Sequence, residues 1–316
     1  MNLTNFCSIG SINVDIYEKI QQISQYLGGS AANTAYFLSN ILPPHKFRVV
    51  LISLLGNDIK GVWARNELSR KKMTSEYVKS INGNTGSTLI SLDYDHERTI
   101  QRTSSVLAYL PDYMSEQSTK EIISKGITHA KMGRDAMDVL FKIQPCIFSC
   151  DFSGFIGNPT DLSIPQKNDL LSWTHALPPN RAIQLLFGNT EEYRTHLYLL
   201  GMLEQPSFEL DLTNSDCIEK IRQLMQFWKS EIAVVKQGKI GATLITLNLV
   251  FKAKAIKIDA VDTTGAGYAF NAGFIAKYLQ QNSLQECLDY ACYLGSINCL
   301  YYGGQECPAE KMVKEK

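Results

Sequence analysis

Residues 262–270 read Asp262-Thr263-Thr264-Gly265-Ala266-Gly267-Tyr268-Ala269-Phe270. They follow an extended stretch, 251–261, and run into Phe270, Phe274, Ile275, Tyr278 and Leu279, apolar residues at helical spacing. Strand, glycine turn and helix in that order make an anion cradle. Gly265 and Gly267 let the backbone approach a ligand closely, and the free N–H groups of the first helical turn attract a phosphate or a developing oxyanion. A Gly-Ala-Gly turn alone is also an ordinary tight βα connection, so its weight depends on the rest of the chain.

The rest of the chain alternates short apolar runs with helix-period segments. Strands are expected at 6–9, 48–53, 127–131, 146–150, 183–187 and 232–235, and helices at 31–41, 61–72, 115–124, 135–143, 191–200, 218–228, 268–280 and 284–302. That rhythm is the signature of an α/β fold with a mostly parallel sheet covered by helices on both faces. Two stretches break it. Residues 15–27 carry no clear helix, and 85–109 hold strand signals at 87–92 and 98–101 around the turn-like 93–97. Both suit a small antiparallel β flap beside the carboxyl edge of the sheet. Residues 154–179, rich in proline, serine and asparagine, read as a surface excursion. At ~150 residues per domain the 316 residues amount to about two domains' worth of chain. No Gly/Ser linker divides them, so the expectation is a large domain of 1–14, 28–84 and 110–316 with a small β lid of 15–27 and 85–109.

Composition excludes several function classes. Lys+Arg and Asp+Glu are both 31, whereas nucleic-acid binding calls for a basic excess to displace counterions. No apolar run approaches the ~18 residues of a membrane span, and the first residues have no basic-then-apolar leader. A soluble, cytoplasmic protein is therefore expected. The 8 cysteines form no C-x-x-C pair and read as buried thiols, and the 5 histidines lack metal-ligand spacing. After the first strand the chain reads Gly10-Ser11-Ile12-Asn13-Val14 rather than G-x-G-x-x-G, which argues against dinucleotide binding.

Five further motifs accompany the glycine turn: Gly10 through Asn13 to Asp15, Gly28-Gly29-Ser30-Ala31-Ala32-Asn33, Gly56-Asn57-Asp58 to Gly61, Asn189-Thr190-Glu191-Glu192, and Gly238-Lys239-Ile240-Gly241. In this order and spacing, over residues 6–304, the chain resembles the ribokinase-like (PfkB) family of sugar and nucleoside kinases. The resemblance implies a three-layer α/β/α sandwich with a small β-sheet lid and ATP-dependent phosphotransfer to a hydroxyl of a sugar or nucleoside. It further implies that Asn13, Asp15, Gly28, Gly29 and Asn33 bind the substrate, a carboxylate being able to accept from two vicinal hydroxyls. Asn189 and Glu192 would organise Mg2+ and phosphates, Glu192 through water. Lys236, Gly238 and Gly241 would line the nucleotide, Asp262 would shape a nucleotide and monovalent-cation loop, and Gly265, Ala266 and Gly267 would form the anion hole. Lids of this kind can pair in homodimers.

Plainer readings stand beside these: Asp15 as a turn residue, Asn33 as a helix polar group bonded to backbone, Glu192 as a helix-start acid, Asp58 as a structural turn, Arg98 as a solvated strand charge. The chain also departs from the pattern. The family's catalytic aspartate after Gly-Ala-Gly is Tyr268 here, a phenol that stays protonated at neutral pH. Relatives commonly carry Thr-Leu-Gly where this chain has Lys236-Gln237-Gly238, and an asparagine near the base where it has Cys292. Two functions follow: a kinase slowed by Tyr268, or a catalytically silent ligand-binding relative.

Overall fold

The computed structural model describes residues 3–19, 22–92, 98–131, 134–143, 145, 147–154 and 183–313. Cys146, the turn at 93–97 and nearly all of the expected excursion at 154–179 lie outside the described residues. The strands are β1 (Thr4–Ile9), β2 (Asn13–Lys19), β3 (Gln22–Gly28), β4 (Phe47–Gly56), β5 (Val78–Ile81), β6 (Gly86–Leu92), β7 (Arg98–Arg102), β8 (Ile127–Lys131), β9 (Ile147–Asp151), β10 (Leu185–Asn189), β11 (Ile232–Lys236), β12 (Gly241–Ile245) and β13 (Val250–Lys254). The helices among the described residues are α1 (Ser30–Ile41), α2 (Ile59–Arg70), α3 (Leu110–Ser115), α4 (Gln117–Ser124), α5 (Arg134–Ile143), α6 (Thr190–Leu199), α7 (Ser215–Phe227), α8 (Ala266–Leu279) and α9 (Leu284–Asn298).

A 9-stranded sheet runs β13-β12-β11-β10-β9-β8-β1-β4-β5, and a separate 4-stranded sheet runs β3-β2-β6-β7. From β11 to β5 every neighbouring pair is parallel. Along β4 the side chains alternate between the two faces: Val49, Leu51 and Leu55 pack with α1, α2, α8 and α9, while Val50, Ile52 and Leu54 pack with α3 to α7. Burial of each such aliphatic side chain is worth ~1.5–3 kcal/mol, which is why the parallel strands read as continuous apolar runs.

The chain builds outward from β1 in one direction through β4 and β5, then returns to β8 and builds the other way. That reversal opens a crevice beyond the carboxyl ends of β1 and β8, the usual ligand position in open α/β sheets. The small sheet sits on the same side, because β2 leaves β1 after only three residues.

Several expectations change. The flap is not purely antiparallel: β2 and β6 pair in parallel, since each runs on in the direction of a parallel strand, β1 and β5. The stretch 251–261 is a strand only to Lys254, as the second arm of a hairpin with β12 that the short run behind Gly241 did not announce. The helix expected at 115–124 is α4, which starts only at Gln117; Ser115 ends α3, and Glu116 between them is extended at ψ 140°. The last helix ends at Asn298 rather than 302. The described cysteines are all free and buried, as expected.

Candidate active site

The glycine turn opens α8 as expected, but residues 255–264 separate it from the end of β13, so it does not follow directly on a strand. Gly265 caps α8 in the left-handed region at φ 78°, and a Cβ there would lie 2.6 Å from the Gly304 Cα. The Ala266 N–H donates to the Thr263 carbonyl at 3.3 Å, whereas those of Gly265 and Gly267 have no backbone acceptor among the described residues. Asp262 beside the turn is buried and acts as a clamp: it accepts from the Thr264 and Gly303 N–H groups, both at 2.9 Å, and from the Tyr17 hydroxyl of β2 at 2.7 Å. Burial pushes its pKa up, but these donors outweigh that and hold it below the usual carboxylate value. The clamp ties the small sheet to the turn.

On the small sheet Asp15 is 6% exposed and lies against Gly28, where a Cβ would be 1.9 Å from its Oδ2. Burial raises its pKa to about 6; the Thr88 hydroxyl and Arg102 pull it back, and Asp262 adds to the rise. Asp15 pairs in register with Thr88, and Thr88 with Arg102, so the three share one cross-strand row. Asn13 begins β2 opposite Gly28 and Gly86, and Gly29 at φ 100° opens α1 where a Cβ would meet the Ser11 carbonyl at 2.4 Å. Asn33 is buried in α1 and accepts from Gln305 Nε2 at 2.8 Å, and the Gly303-Gly304-Gln305 segment threads between Asn33, Tyr26 and Gly265. The bond seen at Asn33 Oδ1 is to a side chain, not to the backbone as its plainer reading had it.

The opposite wall is built from the carboxyl ends of β9, β10 and β11. Asn189 and Glu192 form a reciprocal capping box at the start of α6: Glu192 N–H donates to Asn189 Oδ1 at 2.8 Å, and Asn189 N–H to Glu192 Oε2 at 2.7 Å. The helix-start reading of Glu192 is thus observed, and it is a buried acid whose pKa burial raises despite the nearby Lys236 ammonium. Lys236 Nζ donates to Asp151 Oδ2 at 2.8 Å and to Asn271 Oδ1 at 3.4 Å, and Asn271 Nδ2 donates to the same Asp151 oxygen. Ser153 N–H closes the other oxygen, Oδ1, at 2.7 Å. Asp151 is 1% exposed, and although burial opposes its ionisation, the Lys236 charge and these donors hold it well below the carboxylate range. A cavity of about 630 Å³ opens beside this cluster, lined by Asn189, Arg194, Asp211, Lys236 and Gly238 among others. Gly238 is open to it, with no atom within 4 Å of a would-be Cβ; Gly241 is instead packed on β13, where a Cβ would lie 2.0 Å from the Ala253 carbonyl. Cys292 Sγ likewise faces the Ala253 carbonyl, at 3.8 Å.

Tyr268 is half-buried in the first turn of α8. Burial and the Asp151 carboxylate push its phenol further above the ordinary tyrosine pKa, and the Ser153 hydroxyl beside it offsets only part of that. It is a proton donor at any physiological pH. As for metals, Asp151 is already paired and one oxygen of Glu192 is engaged in its cap, and the described residues hold no group of 3 or more His, Cys, Asp or Glu that could hold an ion. Such a donor set fits a magnesium ion carried in by phosphates and met through water at Glu192, not one caged by protein.

With this geometry in hand, a family model described as pfkB family carbohydrate kinase matches residues 3–312. The chain belongs to the pfkB family. It is 25% identical over 97% of its length to an ATP-dependent ribose-1-phosphate kinase of Halopiger xanaduensis, covering 95% of that protein. It is 21% identical over 94% of its length to the fructosamine kinase FrlD of Bacillus subtilis, covering 91% of it. The structure of Arabidopsis thaliana ribokinase complexed with ribose and ATP superposes with a TM-score of 0.76 at 20% identity, covering 99% of this chain and 98% of that one. The likeness shows that the pfkB chain has the ribokinase-like α/β fold.

Sequence reasoning passed over Asp151, Asn271, Arg102 and Tyr17. Asp151 carried one signal, a charge directly after the apolar run 147–150 at a strand's carboxyl end. The others depend on long-range packing: Arg102 joins Asp15 only through the sheet register, and the side chain of Arg98, the lid charge singled out from sequence, lies outside the described residues. Among the described residues no helix is long and apolar enough to cross a membrane.

Proposed function

We propose that this pfkB protein transfers the γ-phosphate of ATP to a hydroxyl of a sugar or nucleoside in the cytoplasm. The observation that carries the reading is that Tyr17 of the small sheet and the Thr264 N–H beside the glycine turn share one buried carboxylate, Asp262, which ties the sheet that carries Asp15 to the turn 265–267. In this reading Asp15, with Asn13, Asn33 and the floor of Gly28 and Gly29, holds substrate hydroxyls. Lys236, Gly238 and Asn189 hold the nucleotide, and the turn 265–267 receives the transferred phosphoryl group. Magnesium met at Glu192 through water would neutralise developing charge on the phosphates. Residues 15–27 and 85–109 act as a lid on the body formed by 1–14, 28–84 and 110–316, excluding water that competes as acceptor. Copies pair through the outer edge of the small sheet.

Tyr268 sets the rate. Its phenol cannot take the proton of the attacking hydroxyl, so turnover rests on positioning and charge stabilisation, which supply most of the acceleration in phosphoryl transfer. The same residue favours a second reading, a relative that binds ligands without turning them over. A coupled ADP-release assay across sugars and nucleosides, run beside calorimetry of ATP binding, separates the two. Slow turnover with at least one acceptor supports the kinase, and nucleotide binding with no turnover on any acceptor supports the silent relative. Tyr268→Asp is expected to raise the rate by ~10²–10⁴-fold if the rest of the site is sound.

A further inference from the structure

We propose that Lys236 is a built-in counter-cation for the nucleotide's phosphates, so that this chain binds nucleotide with little dependence on a divalent metal. The inference rests on reading the cleft as a nucleotide site. Three observations support it.

The first is position. Lys236 ends β11 directly opposite Asn189, and its Nζ lies 3.5 Å from where a Cβ on Gly267 would be. The ammonium is therefore a close neighbour of the first turn of α8 at Gly267. Asp151 already answers the Lys236 charge, and what the ammonium and the helix start have in common is N–H donors for which a phosphate oxygen is the matching acceptor.

The second is charge. Asp151 and Glu192 would make this end of the cleft repel a polyphosphate, and a metal ion would be needed to bridge them. Lys236 stands between them: it pairs with Asp151 at 2.8 Å, and it also acts on Glu192 by opposing the rise that burial gives its pKa. The oxygens a metal would seek are already engaged, those of Asp151 by Lys236, Asn271 and the Ser153 N–H, and one of Glu192 by the Asn189 N–H.

The third is the donor that remains. An ammonium has three N–H groups, and Lys236 directs two of them to Asp151 and Asn271. Its side chain keeps 15% of its surface and lines the 630 Å³ cavity, so the remaining N–H is available to a ligand there. A lysine fixed by a carboxylate and an amide is pre-organised, and its contact with a phosphate oxygen is a charge-assisted hydrogen bond.

The test is titration calorimetry with ADP and with a non-hydrolysable ATP analogue, each in magnesium and in EDTA. For the natural chain the two dissociation constants are expected to agree within about threefold. In the double variant Lys236→Thr with Asp151→Asn, which leaves neither charge unpaired, ADP is expected to bind about tenfold or more weakly in EDTA and to regain most of that loss with magnesium. Lys236→Arg keeps the charge and is expected to keep metal-independent binding, which guards against a misfolded double variant. Binding by the natural chain that disappears in EDTA overturns the proposal while leaving the nucleotide site intact. So does an EDTA affinity unchanged in the double variant. No binding of either nucleotide in either buffer overturns both the proposal and the nucleotide reading.

Discussion

Replacing Lys236 by methionine keeps the volume of the side chain and removes its charge, leaving Asp151 ionised and 1% exposed with only Asn271 and the Ser153 N–H as partners. Removing one partner of a buried ion pair costs ~3–5 kcal/mol. Because the Lys236 side chain retains 15% exposure and water can enter where the ammonium was, the lower end applies, about 3 kcal/mol. For a domain of this size each kcal/mol shifts the melting temperature by roughly 2 °C, so the drop is about 6 °C. Urea unfolding and calorimetry of the natural chain, Lys236→Met, Asp151→Asn and the double variant make a thermodynamic cycle. The double variant is expected to recover at least about half of the loss, since a buried pair replaced on both sides is often neutral. Salt should leave the cycle nearly unchanged, because a dry pair is poorly screened. Asp151 is held below the carboxylate range, so the pair's contribution is complete above the free aspartate pKa of about 4 and fades only as pH falls further. A Lys236→Met variant within about 1 kcal/mol of the natural chain would refute the picture of a dry, formed pair.

Gly28→Ala puts a methyl 1.9 Å from the present Asp15 Oδ2 and must displace that carboxylate; a stability cost of ~1–3 kcal/mol is expected, with weakened acceptor binding and unchanged nucleotide binding by calorimetry. Asp15 titrates at about 6, so acceptor affinity should rise as pH increases through that value and the inflection should vanish in Asp15→Asn. The sign for stability is the reverse: the folded pKa is raised, so this group's contribution is full below about 4 and is lost as pH rises through the folded value. Gly265→Ala meets both a φ of 78° and the Gly304 Cα at 2.6 Å; a loss of at least ~1–3 kcal/mol in urea unfolding is expected, larger than for an alanine at the open Gly238.

The parallel sheet was legible because doubly covered strands are apolar throughout, and residues 127–131 matched β8 at both ends. What escaped was structure specified by pairing rather than by pattern. β5 carries Lys79 and Ser80 on an edge, and β12 begins with a glycine and has Thr243 at its centre, so neither reads as an apolar run. The glycine N-cap of α8 and the Asn189–Glu192 box were legible because each requires particular residue types at fixed short spacing, whereas Asp15 and Asn33 were marked only by the resemblance to the family. The Asp151–Lys236–Asn271 cluster was not, since its members come from β9, β11 and α8 and meet only through the sheet order. Asp262 was singled out for a ligand loop, yet its bonds to Tyr17, Thr264 and Gly303 give it a mechanical part that no local motif could disclose.

Lys236 and Tyr268 were read as separate departures from the family pattern, but both act on Asp151: one forms an ion pair with it, and the other carries a phenol whose ionisation that carboxylate opposes. They therefore constrain each other. A carboxylate introduced at position 268 would feel Asp151 and Glu192 as like charges and Lys236 as an opposite one, and the balance decides whether it is ionised at neutral pH. Removing Lys236 takes away the opposing charge and shifts that balance toward the protonated acid, which cannot serve as a base. The gain from Tyr268→Asp should consequently be larger with Lys236 present than in a Lys236→Thr background, and the pH at which half the gain appears should move upward in the latter. Equal gains and equal pH profiles in the two backgrounds would mean that position 268 and the ion pair are electrostatically independent, contrary to the shared carboxylate between them.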